Sequence, residues 1–308
     1  MNLIEAIKNR GLVLDGAMSD ELERQGIKTN NHLWTASALI TDPKTVYQAH
    51  MNYFQAGAQL VITDTYQANV PAFTELGYSN AQAQNFIASA VKIAKQARED
   101  YEKQTGKHNF VAGTIGAYGA YLADGNEYRG DYHLSSKEYL DFHLPRLTTI
   151  IAEKPDCLAI ETQPKLEEVI CLLTWLKEQQ PQIPVYVSFT LQDSQTISDG
   201  TSLKTAVNAV NNFPQVFAVG VNCVNPHLVS SAITCIQQET SKEIVVYPNQ
   251  GASYDPASKT WQKIAHPIDF YQATKKWYKL GAHLIGSCCT TGPAQTKEIA
   301  QAFEEIVK

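Results

Sequence analysis

Three cysteines carry the strongest chemical signal in the sequence. Cys288 and Cys289 are adjacent in Leu284-Ile285-Gly286-Ser287-Cys288-Cys289-Thr290-Thr291-Gly292-Pro293, an apolar run closed by turn-forming residues. In a regular strand, neighbouring side chains point to opposite faces. Both thiols can therefore serve one centre only if the backbone leaves β geometry there, and Gly286 with the Thr-Thr-Gly-Pro segment permits such a turn. A third thiol, Cys223, closes another apolar run, after Asn222. Three thiolates with no fourth protein ligand describe a zinc site with an open position, and soft sulfur donors exclude magnesium and calcium. A closed structural site would need a fourth ligand, and no Cys-x-x-Cys pair exists. Three unrelated buried cysteines are the competing reading, which spacing alone leaves open.

The elements that would position these thiols read as eight strand-length apolar runs, each followed by a helical stretch. The runs are 12–16, 60–66, 110–116, 158–163, 185–191, 216–223, 244–249 and 283–288. Several are continuously apolar, as strands buried on both faces should be. Helices are expected over 45–56, 81–104, 136–152, 166–179, 203–211, 228–239, 269–280 and 293–307. Eight alternating units in 308 residues predict a (β/α)8 TIM barrel forming a single domain over residues 1–308. A doubly wound open sheet is the alternative, but neither GxGxxG nor a P-loop occurs. Chemistry in a barrel is built at the C-terminal strand ends. That rule places Asp15, Asp64-Thr65-Tyr66, Glu161-Thr162, Asn222-Cys223 and Cys288-Cys289 around one rim. Strands six and eight share parity, so convergence of the thiols is geometrically reasonable. The insertion 117–135, with Tyr118, Tyr121, Tyr128 and Tyr132, reads as a lid or wall over that rim.

Composition narrows the class. With 44% hydrophobic and 18% charged residues the chain is ordinary for a globular protein. A net charge of −6 gives no reason to expect nucleic acid or an anionic membrane as partner. Residues 1–16 lack the apolar core of a secretory signal, and no stretch approaches the ~20 apolar residues of a membrane span; the cytoplasm is the expected location. Six cysteines are too sparse for a disulfide framework. Cys157, Cys171 and Cys235 read as small buried hydrophobes.

Taken together, these residues resemble the homocysteine S-methyltransferases, the pterin-independent group similar to betaine–homocysteine methyltransferase and to the homocysteine module of methionine synthase. The resemblance runs through Leu14-Asp15-Gly16-Ala17-Met18-Ser19-Asp20-Glu21-Leu22, Val61-Ile62-Thr63-Asp64-Thr65-Tyr66-Gln67-Ala68 and the segment from Gly119 to Gly130. It continues through Glu161-Thr162, Asp199-Gly200-Thr201, Val221-Asn222-Cys223, Tyr247-Pro248-Asn249 and Gly286-Ser287-Cys288-Cys289. The combination of Asn-Cys with Gly-x-Cys-Cys is highly specific, and Tyr128-Arg129-Gly130 looks most like the branch that uses S-methylmethionine.

The resemblance implies that Cys223, Cys288 and Cys289 bind zinc and that the homocysteine thiol fills the open position. A free thiol, with a pKa of about 8.5, is mostly protonated at neutral pH, whereas a coordinated one is a thiolate able to attack the methyl of a sulfonium donor. It further implies that Glu161 binds the substrate ammonium, that Asp15 shares that pocket, that Tyr66 stands beside the metal, and that Trp34 lines the donor side, where aromatic faces favour cations. Asp-Gly alone would read as a turn, and a lone aromatic as core.

Departures from the family pattern are Ser287 for a glycine, Thr290 for an arginine, and Asp64 where the S-methylmethionine branch commonly has a small residue. Asp64 could help bind a cationic donor or face away. Competing readings are S-adenosylmethionine or betaine as donor, selenocysteine as acceptor, and a non-catalytic zinc- or thiol-binding barrel. A lyase or aldolase would want a strand-end lysine, and none is seen. A folate donor is not expected, for lack of a folate or cobalamin domain. Oligomeric state is not readable.

Overall fold

In the computed structural model, which describes residues 2–252, 254–255, 260–262 and 267–307, all eight expected runs are parallel strands of one sheet. They are β1 (Leu12–Val13), β2 (Leu60–Ile62), β3 (Phe110–Gly116), β4 (Cys157–Gln163), β5 (Val185–Phe189), β6 (Val216–Asn222), β7 (Glu243–Tyr247) and β8 (Ala282–Ile285). Each pairs with its sequence neighbour, and β1 pairs with β8 through Leu12↔Leu284 and Val13↔Ile285. A parallel bridge between Leu14 and Leu60, with Gln59 N–H donating to Val13 O at 2.8 Å, closes the ring. The fold is a (β/α)8 barrel. Six of the eight strands stop one to four residues earlier than their apolar runs, because the last residues of each run have turned into the rim loops.

The helices follow from local chemistry. Asp42 caps Pro43–Ala56, Ser79 and Ser135 form capping boxes at Asn80–Thr105 and Ser136–Ala152, and Asn225 caps Pro226–Glu239, each satisfying free N–H groups of a first turn. Leu166–Gln179 and Leu203–Asn211 coincide with their expected ranges, and Phe270–Lys279 and Pro293–Ile306 lie within theirs. Helices and sheet enclose one large apolar cluster. A second fills the barrel's interior with Leu12, Leu60, Phe110, Ala112, Cys157, Ala159, Tyr186, Ala218, Val245 and Leu284. An additional helix, Leu3–Arg10, contributes Leu3, Ala6 and Ile7 to that inner cluster. Cys157 is buried, while Cys171 and Cys235 are only half-buried on their helices, so those two are not the fully interior hydrophobes expected.

Period two carries the interior from apolar to polar as it rises. Inward positions run Ala112 to Thr114, Ala159 to Glu161, Tyr186 to Ser188, Ala218 to Asn222 and Val245 to Tyr247, and the upper members form one buried polar layer. Gly220 passes through it because a Cβ there would lie 1.6 Å from the Val245 carbonyl oxygen.

Candidate active site and metal centre

The three thiols meet. The Sγ atoms of Cys223, Cys288 and Cys289 all lie within 4.8 Å of one another, and no other His, Cys, Asp or Glu among the described residues joins that group. Cys223 and Cys289 are 3.5 Å apart, and the Tyr128 hydroxyl is 3.2 Å from the Cys223 sulfur. Cys223 is held well below the usual thiol range because Cys288 and Cys289 hydrogen-bond to it, and the same contact with Cys223 raises the other two.

The backbone leaves the strand after Ile285, as the adjacent pair requires, but Gly286 is not the residue that turns left-handed. The left-handed residues are Cys223 (φ 50°) and Thr290 (φ 68°), conformations that cost a non-glycine residue roughly 1–3 kcal/mol and cluster at functional sites. Cys223 is secured by its N–H on Tyr247 O at 3.0 Å, and Thr290 by its N–H on Asp20 Oδ2 at 3.0 Å. Gly286 answers a different need, since a Cβ there would lie 2.6 Å from the Leu14 Cβ. Ser287 also gains an account: its N–H reaches Asp15 O at 3.2 Å and its Oγ accepts from Thr291 at 2.9 Å. The pair is thereby sewn to the exit of β1.

Every residue expected from the sequence lies on one cavity of about 430 Å³: Cys223, Cys288, Cys289, Asp15, Glu161, Tyr66 and Trp34. Asp15 projects from the end of β1 and accepts the Ile62 N–H at 2.8 Å. Glu161, in the polar layer, accepts from the Thr114 hydroxyl and, at 2.9 Å, from Tyr247. Burial pushes Glu161 up to about 7 against the pull of those two bonds, and raises Asp15 well above its usual range. Trp34 meets Tyr66 edge to face with centroids 5.9 Å apart. The Tyr66 hydroxyl is buried without a well-formed hydrogen bond, within electrostatic reach of Cys223; the phenol in contact with a cluster sulfur is that of Tyr128.

The insertion 117–135 walls the cavity with Ala123, Glu127 and Tyr128. Its other three tyrosines turn away: Tyr118, Tyr121 and Tyr132 pack on one another and on Phe142, and Tyr132 donates to the buried Glu168 at 2.5 Å. Like Tyr128, Asn222 was named at the rim by the sequence reading but given no role of its own. Its side chain accepts the Thr162 N–H at 2.8 Å and donates to the Thr162 hydroxyl at 2.7 Å, fixing the exits of β4 and β6 together. Its position next to Cys223 at a strand end was the available signal.

Charge in the cavity is one-sided. Six carboxylates line it (Asp15, Asp20, Glu23, Asp64, Glu127 and Glu161), and among the described residues no lysine, arginine or histidine does. Burial raises Asp20 and Asp64 to about 6 and Glu127 to about 7. Such walls favour a cation.

A family profile described as homocysteine S-methyltransferase matches residues 12–303. The chain belongs to the homocysteine S-methyltransferase family. It is 40% identical over 294 residues to the homocysteine S-methyltransferase YbgG of Bacillus subtilis, covering 94% of this chain and 93% of that one. It is 41% identical over 286 residues to the homocysteine S-methyltransferase of Escherichia coli, covering 92% of each. Among solved structures it superposes on the metallated form of the homocysteine methyltransferase MmuM from Escherichia coli with a TM-score of 0.88 at 36% identity, covering 96% of this chain and 98% of the other. For a homocysteine S-methyltransferase, three convergent thiols are a donor set suited to a soft or borderline metal, and that relative has been solved with metal. No helix among the described residues is long and apolar enough to cross a membrane.

Proposed function

We propose that the protein is a zinc-dependent homocysteine S-methyltransferase that makes methionine with S-methylmethionine as donor, acting as one barrel domain over residues 1–308. The observation that carries this reading is the joining of a three-thiol cluster to a cavity that six carboxylates line and that, among the described residues, no lysine, arginine or histidine lines. Cys223, Cys288 and Cys289 would hold the ion, since they are three sulfurs in mutual reach with no fourth protein ligand. Zinc bound there supplies a Lewis acid that keeps an arriving thiol ionised at neutral pH.

The chain's own residues do the rest. Glu161 and Asp15, within electrostatic reach of one another at the ends of β4 and β1, receive the ammonium of homocysteine and aim its sulfur at the cluster. Trp34 and Tyr66 offer aromatic faces to the cationic donor, roughly 0.5–2 kcal/mol each. One C–S bond forms as another breaks, the electron pair returns to the sulfonium sulfur, and the donor leaves as a neutral thioether. Methyl transfer therefore asks for alignment and exclusion of water rather than a general base. The residues assemble this at a barrel rim, away from bulk solvent, where small-molecule substrates are expected.

The test is an assay for methionine from homocysteine with S-methylmethionine, S-adenosylmethionine and betaine side by side, using protein of measured zinc content. Turnover highest with S-methylmethionine and dependent on zinc supports the reading. Full activity in metal-free protein, or preference for betaine, overturns it.

A further inference from the structure

Each carboxylate of the cavity has an identifiable environment, and two stand out. Asp15 is engaged by Ile62, Glu161 by Thr114 and Tyr247, Asp20 by Thr290, and Glu23 by Thr29. Asp64 and Glu127 each keep one buried carboxylate oxygen, Oδ2 and Oε2, with no hydrogen-bond partner. Glu127 sits by the thiol cluster, where its charge adds to that of Cys223. Asp64 lies on the other side, at the exit of β2, two residues before Tyr66; a hydrogen bond from Thr35, the neighbour of Trp34, is the one interaction that eases its ionisation. It is 3% exposed. An ionised carboxylate so placed is costly unless something cationic faces it, and no Lys, Arg or His among the described residues lines this cavity.

We infer that Asp64 is the counter-charge for the cationic methyl donor and so sets donor affinity without contributing to homocysteine binding. The inference rests on the proposed use of a sulfonium donor. It follows from position: Asp64 shares the β2 exit with Tyr66 and adjoins the Trp34–Thr35 turn, whereas Glu161 stands in the polar layer of the barrel, within electrostatic reach of Asp15 at the exit of β1. In a dry, low-dielectric wall a single negative charge acts strongly over several ångströms.

The test compares zinc-loaded wild type with Asp64→Asn and Asp64→Ala. KM for S-methylmethionine should rise about 10- to 100-fold in both, with KM for homocysteine and zinc content unchanged within about twofold. The midpoint of thermal unfolding should hold or rise in Asp64→Asn, which removes a buried charge with no cation facing it and keeps an acceptor for Thr35; a charge kept for structure would lower it. Unchanged donor KM in an active wild-type background, or equal weakening of both substrates, overturns the role of Asp64 alone. Failure of wild type to use any sulfonium donor overturns the functional reading, and this inference with it.

Discussion

Cys223 and Cys288 hang from adjacent carbonyls of one strand exit: the Cys223 N–H donates to Tyr247 O at 3.0 Å and the Cys288 N–H to Pro248 O at 2.8 Å. β7 lies between β6 and β8 in the sheet, so its last residue, Tyr247, and the Pro248 that follows act as a common ruler for the two flanking loops. The thiols come from positions 65 residues apart (288 − 223), yet their spacing depends on a single dipeptide.

Replacing any one of the three cysteines by serine should abolish both metal and turnover. Metal analysis of the purified protein should fall from about one zinc per chain to almost none, with the circular-dichroism spectrum preserved. A serine variant that keeps its zinc and its rate would mean that the cluster is not the metal site.

Tyr128→Phe removes the hydroxyl 3.2 Å from the Cys223 sulfur. Outer hydrogen bonds to metal ligands are worth about 10- to 100-fold in affinity or activity. Chelator competition should therefore show weaker metal retention by a factor in that range, and Tyr66→Phe should change retention far less.

Glu161→Ala should raise KM for homocysteine by about 10- to 100-fold and leave donor KM nearly unchanged. Burial sets Glu161 at about 7, and only its ionised form attracts an ammonium. In wild type kcat/KM for homocysteine should thus climb as pH rises through about 7, the profile that reports groups of the free enzyme. Glu161→Gln should flatten that limb; a limb of unchanged height would assign it to another group.

Stability should respond to pH with a sign opposite to that of ordinary surface carboxylates. Asp20, Asp64, Glu127 and Glu161 titrate at about 6, 6, 7 and 7 in the folded protein, above the 3.8 and 4.5 of the unfolded chain. Between those limits the folded state binds more protons, so stability falls as pH rises to about 7 and recovers as pH drops toward 5. The buried His50, depressed to about 4, and His143, also depressed, act the other way but are fewer. Unfolding midpoints of the ligand-free protein at pH 5.5 and 8 should rank with the lower pH higher.

Gly286→Ala would place a methyl 2.6 Å from the Leu14 Cβ and 2.9 Å from the Asp15 carbonyl oxygen. Overpacking of that kind typically costs about 1–3 kcal/mol. The midpoint of denaturant unfolding should drop accordingly, and zinc content with it, because the shift propagates directly into Cys288.

Much of this was legible from residue order alone. The eight strands announced themselves because a buried parallel strand must be apolar, and the three thiols because chemistry in a barrel gathers at strand exits. What stayed hidden depended on distance through space. Tyr128 belongs to a loop of four tyrosines, and nothing in that sequence says which one turns inward. The turn expected of the Thr-Thr-Gly-Pro segment has Thr290 as its left-handed residue, a choice hidden in the sequence because the carboxylate that accepts its N–H, Asp20, comes from the other end of the chain. Helix Leu3–Arg10 was missed since its short apolar stripe is meaningful only as a plug for the barrel floor.

An acid-walled chamber also gives the proposed reaction a direction in time. The sulfonium arrives carrying a charge that the walls attract, and the transfer step itself erases that charge. The bond that completes the chemistry therefore also removes the part of the attraction that rested on the sulfonium charge.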